Sequence, residues 1–475
     1  MFNLGLKFAF AIGFSSLMMS PAQANELLKV YERALSQDMQ LQAARHARDA
    51  QIEIRPQARS VLLPQINGSY GYQEQEEDGT EGFGGGANVP VDRESTQKGI
   101  TVRLDQVLFD WAAFRQLAQS NDEVALARAR YRRAEQDLLL RTAQTYFNAL
   151  SASDNLRFSV AEKEAFERQL EQGRTRFEVG LAAITEIQEA QARYDLGVAQ
   201  EITAQQQLAN AREALYEITG RVESRLVPLI EEFPLQPAQP AQVEPWLETA
   251  NANNLDLIAA SLQLKSAEKG VSVARAGHLP TVGALAQYED LEASGGRFSG
   301  QSEIETIGIQ VQIPIFSGLA TRSRVNQARA TKAQLEAQLE GAERGVERQT
   351  RDAFLAVMSG VARVKALRQA VLSSSTALEA SEIGLEVGTR TTVDVLNAQS
   401  ALFSAQRDYA RARYDYLLSV LALKAAAGTL DEGDLREVDS LLVAGSESES
   451  VGRPEPADDR QATECPRGLS CALSR

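Results

Sequence analysis

Two short stretches hold the residues whose types and spacing could do chemistry. One runs Glu386-Val387-Gly388-Thr389-Arg390-Thr391-Thr392-Val393-Asp394-Val395-Leu396-Asn397-Ala398-Gln399. The other, 208 residues earlier, runs Glu178-Val179-Gly180-Leu181-Ala182-Ala183-Ile184-Thr185-Glu186-Ile187-Gln188-Glu189-Ala190-Gln191. Each sits where one long helical pattern stops and another begins, so both read as helix–helix turns. Arg390 stands among small and β-branched polar residues, and could form a charge-assisted, bidentate bond to a carboxylate such as Glu186. The plainer alternative is a solvated turn residue. A motif repeated at a fixed offset marks an internal duplication, which decides the fold before any single residue does.

Elsewhere the chain offers no constellation for catalysis. Its two histidines, His46 and His278, are not repeat partners and read as surface or helix-end residues. There is no Gly-x-Ser-x-Gly, no phosphate-binding glycine loop and no Cys/His cluster. Acids are plentiful, but on helices they read as solvated faces. Neither an enzyme nor a cofactor is expected. The net charge of −15, without a basic stripe or aromatic platform, argues against nucleic acid as a partner.

The elements that must position the two turns follow from periodicity. Lys7, an apolar run from Phe8 to Met19, and an Ala-x-Ala site at residues 22–24 predict a signal peptide over 1–24. After it, no apolar run is long enough for a membrane-spanning helix. Residues 26–57 have helical spacing that Pro56 should end. Residues 65–73 then alternate apolar and polar, with Ile66, Gly68, Tyr70 and Tyr72 on one side, as a half-buried strand does. A Gly- and acid-rich loop is expected over Glu74–Glu94, followed by a second strand through Ile100, Val102 and Leu104. The pattern recurs at an offset of 216, where Tyr288 echoes Tyr72. Val282, Ala284, Ala286 and Tyr288 mark a third strand, and Ile307, Ile309, Val311, Ile313 and Ile315 a fourth.

These strands could form a small soluble sheet. They also fit membrane strands, which need ~9–11 residues with apolar groups outward. Closed barrels need at least about eight strands, and an open edge cannot face lipid. Membrane insertion would therefore require two, three or four copies.

No proline interrupts Asp110–Glu178 or Ser317–Glu386, so each predicts a helix of roughly 100 Å. The return helices, 183–219 and 391–427, are shorter and end at Gly220 and Gly428. A further helix over 246–276, and residues 26–57 before the first strand, would make up the missing length. Heptad spacing with many small residues marks these as coiled-coil seams. The reading divides the chain into a first repeat over 25–220, a Pro-rich insert over 221–245, a second repeat over 246–428 and a C-terminal segment over 429–444. The acidic residues 445–475 should be disordered, with Cys465 and Cys471 in a local disulfide if the compartment is oxidising.

Val387 to Leu396, Arg176 to Glu186 and Ala425 to Leu430 resemble the signatures of TolC-type outer-membrane channel proteins, and the resemblance covers nearly all of 26–443. It implies a mainly α fold with a small membrane β-barrel part. Duplicated antiparallel coiled-coil helices and four transmembrane strands per chain would close as a trimer, giving a 12-stranded β-barrel and a 12-helix α-barrel. It implies an outer-membrane exit duct for proteins or small toxic molecules. Its partners would be a periplasmic adaptor and an inner-membrane transporter, ABC-type or proton-driven. By resemblance, Arg390 would latch the tunnel entrance by reaching Thr185 and Glu186 of the neighbouring coil, and Asp394 would contribute to an acidic constriction. Two departures stand out: Asn397 replaces a frequent second acid, and Leu385 replaces an aromatic whose repeat partner here is Phe177. The rival reading is a periplasmic coiled-coil adaptor or scaffold, which would not need detergent for extraction.

Overall fold

The computed structural model describes residues 26–83, 87–221, 226–230, 233–295 and 299–442. The signal peptide, residues 84–86 in the first loop, the acidic tail, Cys465 and Cys471 lie outside these. The chain begins with three short helices, α1 (Glu26–Gln37), α2 (Met39–Ile52) and α3 (Ile54–Ser60). A hairpin follows, β1 (Gln65–Phe83) and β2 (Ala87–Phe109), then α4 (Trp111–Glu178) and α5 (Ile184–Thr219). The second half repeats the order: α6 (Glu244–Asn253), α7 (Leu255–Ala276), β3 (Thr281–Gly295), β4 (Gly300–Gln312), α8 (Ala320–Glu386) and α9 (Thr392–Ala426). A last helix, α10, spans Glu432–Asp439.

The strands form one antiparallel sheet in the order β1-β2-β3-β4, open at both edges. Registers of Ile66 to Leu104, Leu104 to Ala286 and Ala286 to Ile307 put one apolar row across all four strands. That face stays uncovered within the chain: Ile307 is 89 % exposed, Ile309 72 % and Ile66 69 %. From Val282 to Tyr288 it spans six residue steps, or about 20 Å at strand rise. Such a height approaches an outer-membrane apolar band of ~25 Å. The opposite face carries polar groups such as Arg103 and Asp105, paired at 2.9 Å.

The expected Glu74–Glu94 loop is instead paired backbone almost throughout, from Glu74 opposite Thr96 up to Phe83 opposite Ala87. Apolar alternation stops at Tyr72 because both faces of this ribbon are polar, while the hydrogen-bond ladder continues. The fourth strand runs from Gly300 and ends earlier than expected, at Gln312, leaving Ile313 and Ile315 beyond it. Pro314 has no N–H to extend the ladder.

The long helices run 68 and 67 residues. Asp110 starts α4 by accepting the N–H groups of Ala112 and Ala113 at 2.8 and 3.2 Å. The helix expected over 246–276 is two helices, broken at Asn254, whose side chain caps α7 through Asp256 N–H and Leu257 N–H. Its partner at the offset of 216 is Asp38, which breaks α1 from α2 and caps α2 through Leu41 N–H at 2.7 Å. Pro56 does not end a helix; it lies in the first turn of α3, where no N–H is needed. The return helices abut these breaks. Gly220 (φ 66°) packs on Gln37, and a Cβ on Gly428 would lie 2.3 Å from the Asn253 carbonyl oxygen. Short helices and return helices thus stack end to end along α4 and α8.

The main core lies where these pieces meet, at mid-length. Tyr146 and Phe147 of α4 are fully buried, and Phe147 stacks on Tyr414 of α9 at 5.7 Å. The insert and the C-terminal segment wrap this point. The Tyr146 hydroxyl accepts from Val227 N–H at 3.1 Å, the Tyr416 hydroxyl donates to the Gln236 carbonyl at 2.8 Å, and Leu229 bridges to Leu442. Asp439 of α10 is buried and accepts the Leu27 N–H at 2.8 Å, holding the start of α1. Burial pushes its carboxyl above the usual range. A raised carboxyl pKa means that stability falls as pH rises through it. Asp439→Asn keeps the acceptor without the charge, so at pH 8 its melting temperature should equal or exceed wild type. Asp439→Ala should melt lower. Asn254→Ala should cost about 1 kcal/mol as a lost cap, read by chemical denaturation.

Candidate functional site at the coil tips

Both turns are built on a glycine in the left-handed region, Gly180 at φ 79° and Gly388 at φ 78°. In the first, Gly180 N–H donates to Phe177 and Leu181 N–H to Arg176, at 2.9 and 2.8 Å. In the second, Thr389 N–H and Arg390 N–H both donate to the Gly384 carbonyl, at 2.8 and 3.0 Å. A Cβ on Gly384 would lie 2.6 Å from Cγ of Arg390. Gly384 therefore lets the arginine stem lie across the end of α8. The Arg390 side chain is 59 % exposed, with Nη1 4.0 Å from Asp394 Oδ1.

Asp394 closes a capping box at the start of α9. Its Oδ2 accepts from Thr391 N–H and Thr391 Oγ1, each at 2.9 Å, while Thr391 Oγ1 accepts the Asp394 N–H at 3.2 Å. The hydrogen bonds from the Thr391 backbone and then its hydroxyl, with Arg390 adding less, hold the Asp394 carboxyl below the usual range. Its capping contribution is present above the ordinary carboxyl pKa and is lost as pH falls through the lowered value.

Of the sequence-predicted residues, Arg390 and Asp394 come together on one turn. Arg390 contacts neither Thr185 nor Glu186 within the chain. Thr185 is exposed, and Glu186 Oε2 accepts from Thr392 Oγ1 at 2.8 Å, tying the two tips together. Asn397 is bound across the coils too, accepting from Arg193 Nη2 at 2.8 Å. Leu385 is half-buried and Phe177 43 % exposed, on the last turns of α8 and α4. Thr392, Arg193 and Gly384 were not singled out by sequence. The Thr391-x-x-Asp394 spacing was a legible cap signal; nothing local marks Arg193, whose contact joins residues 204 apart.

Above the tips the coils are joined by a small core of Phe166, Leu170, Ala190 and Leu396. Higher still, Arg407 meets the buried Glu162 at 2.7 Å, and Tyr414 donates to Asp154 at 2.7 Å. The lowest tie is thus one hydrogen bond from the buried Thr392 hydroxyl to the part-buried Glu186 carboxylate. Thr392→Val should loosen the tips without unfolding the coils. Spin labels at the exposed Gln188 and Glu379 should show a broader, longer distance distribution in that variant, with unchanged helicity.

These features do not stand alone. The family described as outer membrane efflux protein matches residues 30–221 and 246–429. The chain is 36 % identical over 427 residues to the outer membrane protein TolC of Vibrio cholerae, covering 89 % of this chain and 95 % of that one. It is 36 % identical over 444 residues to TolC of Escherichia coli, covering 90 % and 87 %. To the alkaline protease secretion protein AprF of Pseudomonas aeruginosa it is 31 % identical over 459 residues, covering 96 % and 94 %. Among solved structures, the CmeC outer membrane channel of Campylobacter jejuni superposes with TM-score 0.72 at 19 % identity, over 93 % of this chain and 98 % of that one. VceC of Vibrio cholerae superposes with TM-score 0.71 at 19 % identity, over 85 % and 96 %. Duplicated coils, an uncovered apolar sheet face and sequence likeness along the whole repeat agree: the chain belongs to the outer membrane efflux protein family, the TolC-type channels that serve export systems as their exit duct in the Gram-negative outer membrane.

Proposed function

We propose that three copies of this chain close into one channel, each contributing its four strands to a 12-stranded barrel. The supporting observation is the sheet itself, apolar on its outward face and unpaired at both edges. Lipid offers no partner for edge N–H and C=O groups, so the edges must pair with one another. The coils below would form a 12-helix tunnel, with its entrance at the tips. TolC-family channels work with adaptors and inner-membrane transporters in tripartite systems. A periplasmic adaptor and an ABC-type or proton-driven transporter are this chain's proposed partners. The scaffold reading is not favoured, because it leaves the apolar sheet face without a role.

The entrance is proposed to be closed by Arg390 reaching Thr185 and Glu186 of the adjoining coil. The Glu186 carboxylate can accept further hydrogen bonds beside the one from Thr392. Asp394 and Asn397 of three copies would meet around one axis as the constriction. Asn397 removes one charge from that ring, and Arg193 binds its amide oxygen. Both features weaken the acidity of the entrance. For cargo, similarity to AprF, a protease secretion protein, along 94 % of its length favours protein secretion or a multipurpose duct.

Planar bilayer recording tests the gate. Wild type should give small or flickering currents, and Arg390→Ser should give larger ones. Equal, large currents from both would remove Arg390 from the latch. Asp394→Ala should reduce cation selectivity, measured as reversal potential in a salt gradient; unchanged selectivity would discard the constriction ring.

A further inference from the structure

The internal repeat carries information about contacts that one chain cannot make with itself. The first strands of the two hairpins are related by an offset of 216, as in Pro64 and Pro280 or Tyr72 and Tyr288. The second strands are related by 207, as in Phe109 and Phe316, each followed by a polar residue and a long helix. Together these offsets turn the pair Gln65–Asp105 into Thr281–Gln312, and Ser69–Thr101 into Leu285–Gly308. Both are the registers found between β3 and β4. The repeat therefore predicts strand register correctly where it can be checked.

One further pairing, β2 with β3, has a counterpart that is missing from the chain: β4 with β1, the two edges of the sheet. The same offsets convert Leu104–Ala286 into Val311–Tyr70, Val102–Tyr288 into Ile309–Tyr72, and Ile100–Asp290 into Ile307–Glu74. We propose that the β4 edge receives the β1 edge of a second copy in this register, a specific inference that rests on the closed-barrel reading above. The side chains agree with it. Val311, Ile309, Tyr70 and Tyr72 all lie on the face that holds Ile66, Leu104 and Ile307, so the seam continues the apolar band. A slip of one residue would set both tyrosines on the polar face. Further from the helices the same register puts Glu305 opposite Glu76 and Glu303 opposite Asp78. Like charges directly opposite one another destabilise a strand pair, so the seam grips through its apolar rows.

Disulfide trapping in the full-length protein reads the register directly. With Cys465→Ser and Cys471→Ser as background, Ile309→Cys is combined with Tyr72→Cys. Within one chain these positions are three strand spacings apart, roughly 14 Å, and further separated along the strands, well beyond the ~7 Å Cα reach of a disulfide. Only neighbouring copies can form the bond. Oxidised outer membranes should yield a covalent trimer on a non-reducing gel, with single-cysteine variants at background. The pair Ile309→Cys with Gly68→Cys, displaced by four residues, should also stay at background. Cross-linking of the displaced pair instead would overturn the register while leaving closure intact. A covalent dimer or tetramer as end product would keep the register and contradict the trimer. No cross-link in any pair, from protein whose scattering mass is a trimer, would overturn the register alone; with a monomer mass it would overturn both.

Discussion

The unpaired backbone at the two sheet edges is the constraint on which this molecule depends. An apolar face about 20 Å tall suits the four strands to lipid, where open N–H and C=O groups cost several kcal/mol each. The coils descend from β2 and β4 through α4 and α8, each capped or turned at its start, and return only half way. The remaining half is supplied by α1–α3 and α6–α7. The mid-length core, built on Tyr146, Phe147 and Tyr414, fixes where these stacked pieces join.

Much of this was legible because duplication writes each signal twice. Proline-free runs gave the long helices, and the glycines at 180, 388, 220 and 428 marked their turns and stops. What escaped was the finer punctuation. Asp38 and Asn254 break their helices at equivalent positions, yet each looks like an ordinary polar residue until its side chain is seen capping the next helix. The β1–β2 ribbon beyond Tyr72 escaped because two-sided polar strands leave no apolar alternation to read. Pro56 misled in the other direction, since a proline in a first turn and a proline after a last turn look alike in sequence.

At the tips the local chemistry was readable and the long-range chemistry was not. Arg390, Asp394 and the Thr391 cap belong to one turn, so sequence spacing places them together. The ties from Thr392 to Glu186 and from Arg193 to Asn397 span more than 200 residues, and only the packing of α9 against α5 creates them. The Arg193–Asn397 bond is exposed and the Thr392–Glu186 bond part-buried, while Glu162 of the Glu162–Arg407 pair above them is buried.

The most direct test of the central claim is amide hydrogen exchange of the protein in lipid bilayers, resolved to the outer edges of β1 and β4. If the sheet closes across copies, the lipid-level amides of β1 and β4 will be protected as strongly as those of β2 and β3. Rapid exchange at either edge, with β2 and β3 protected, would show an open sheet and contradict the account.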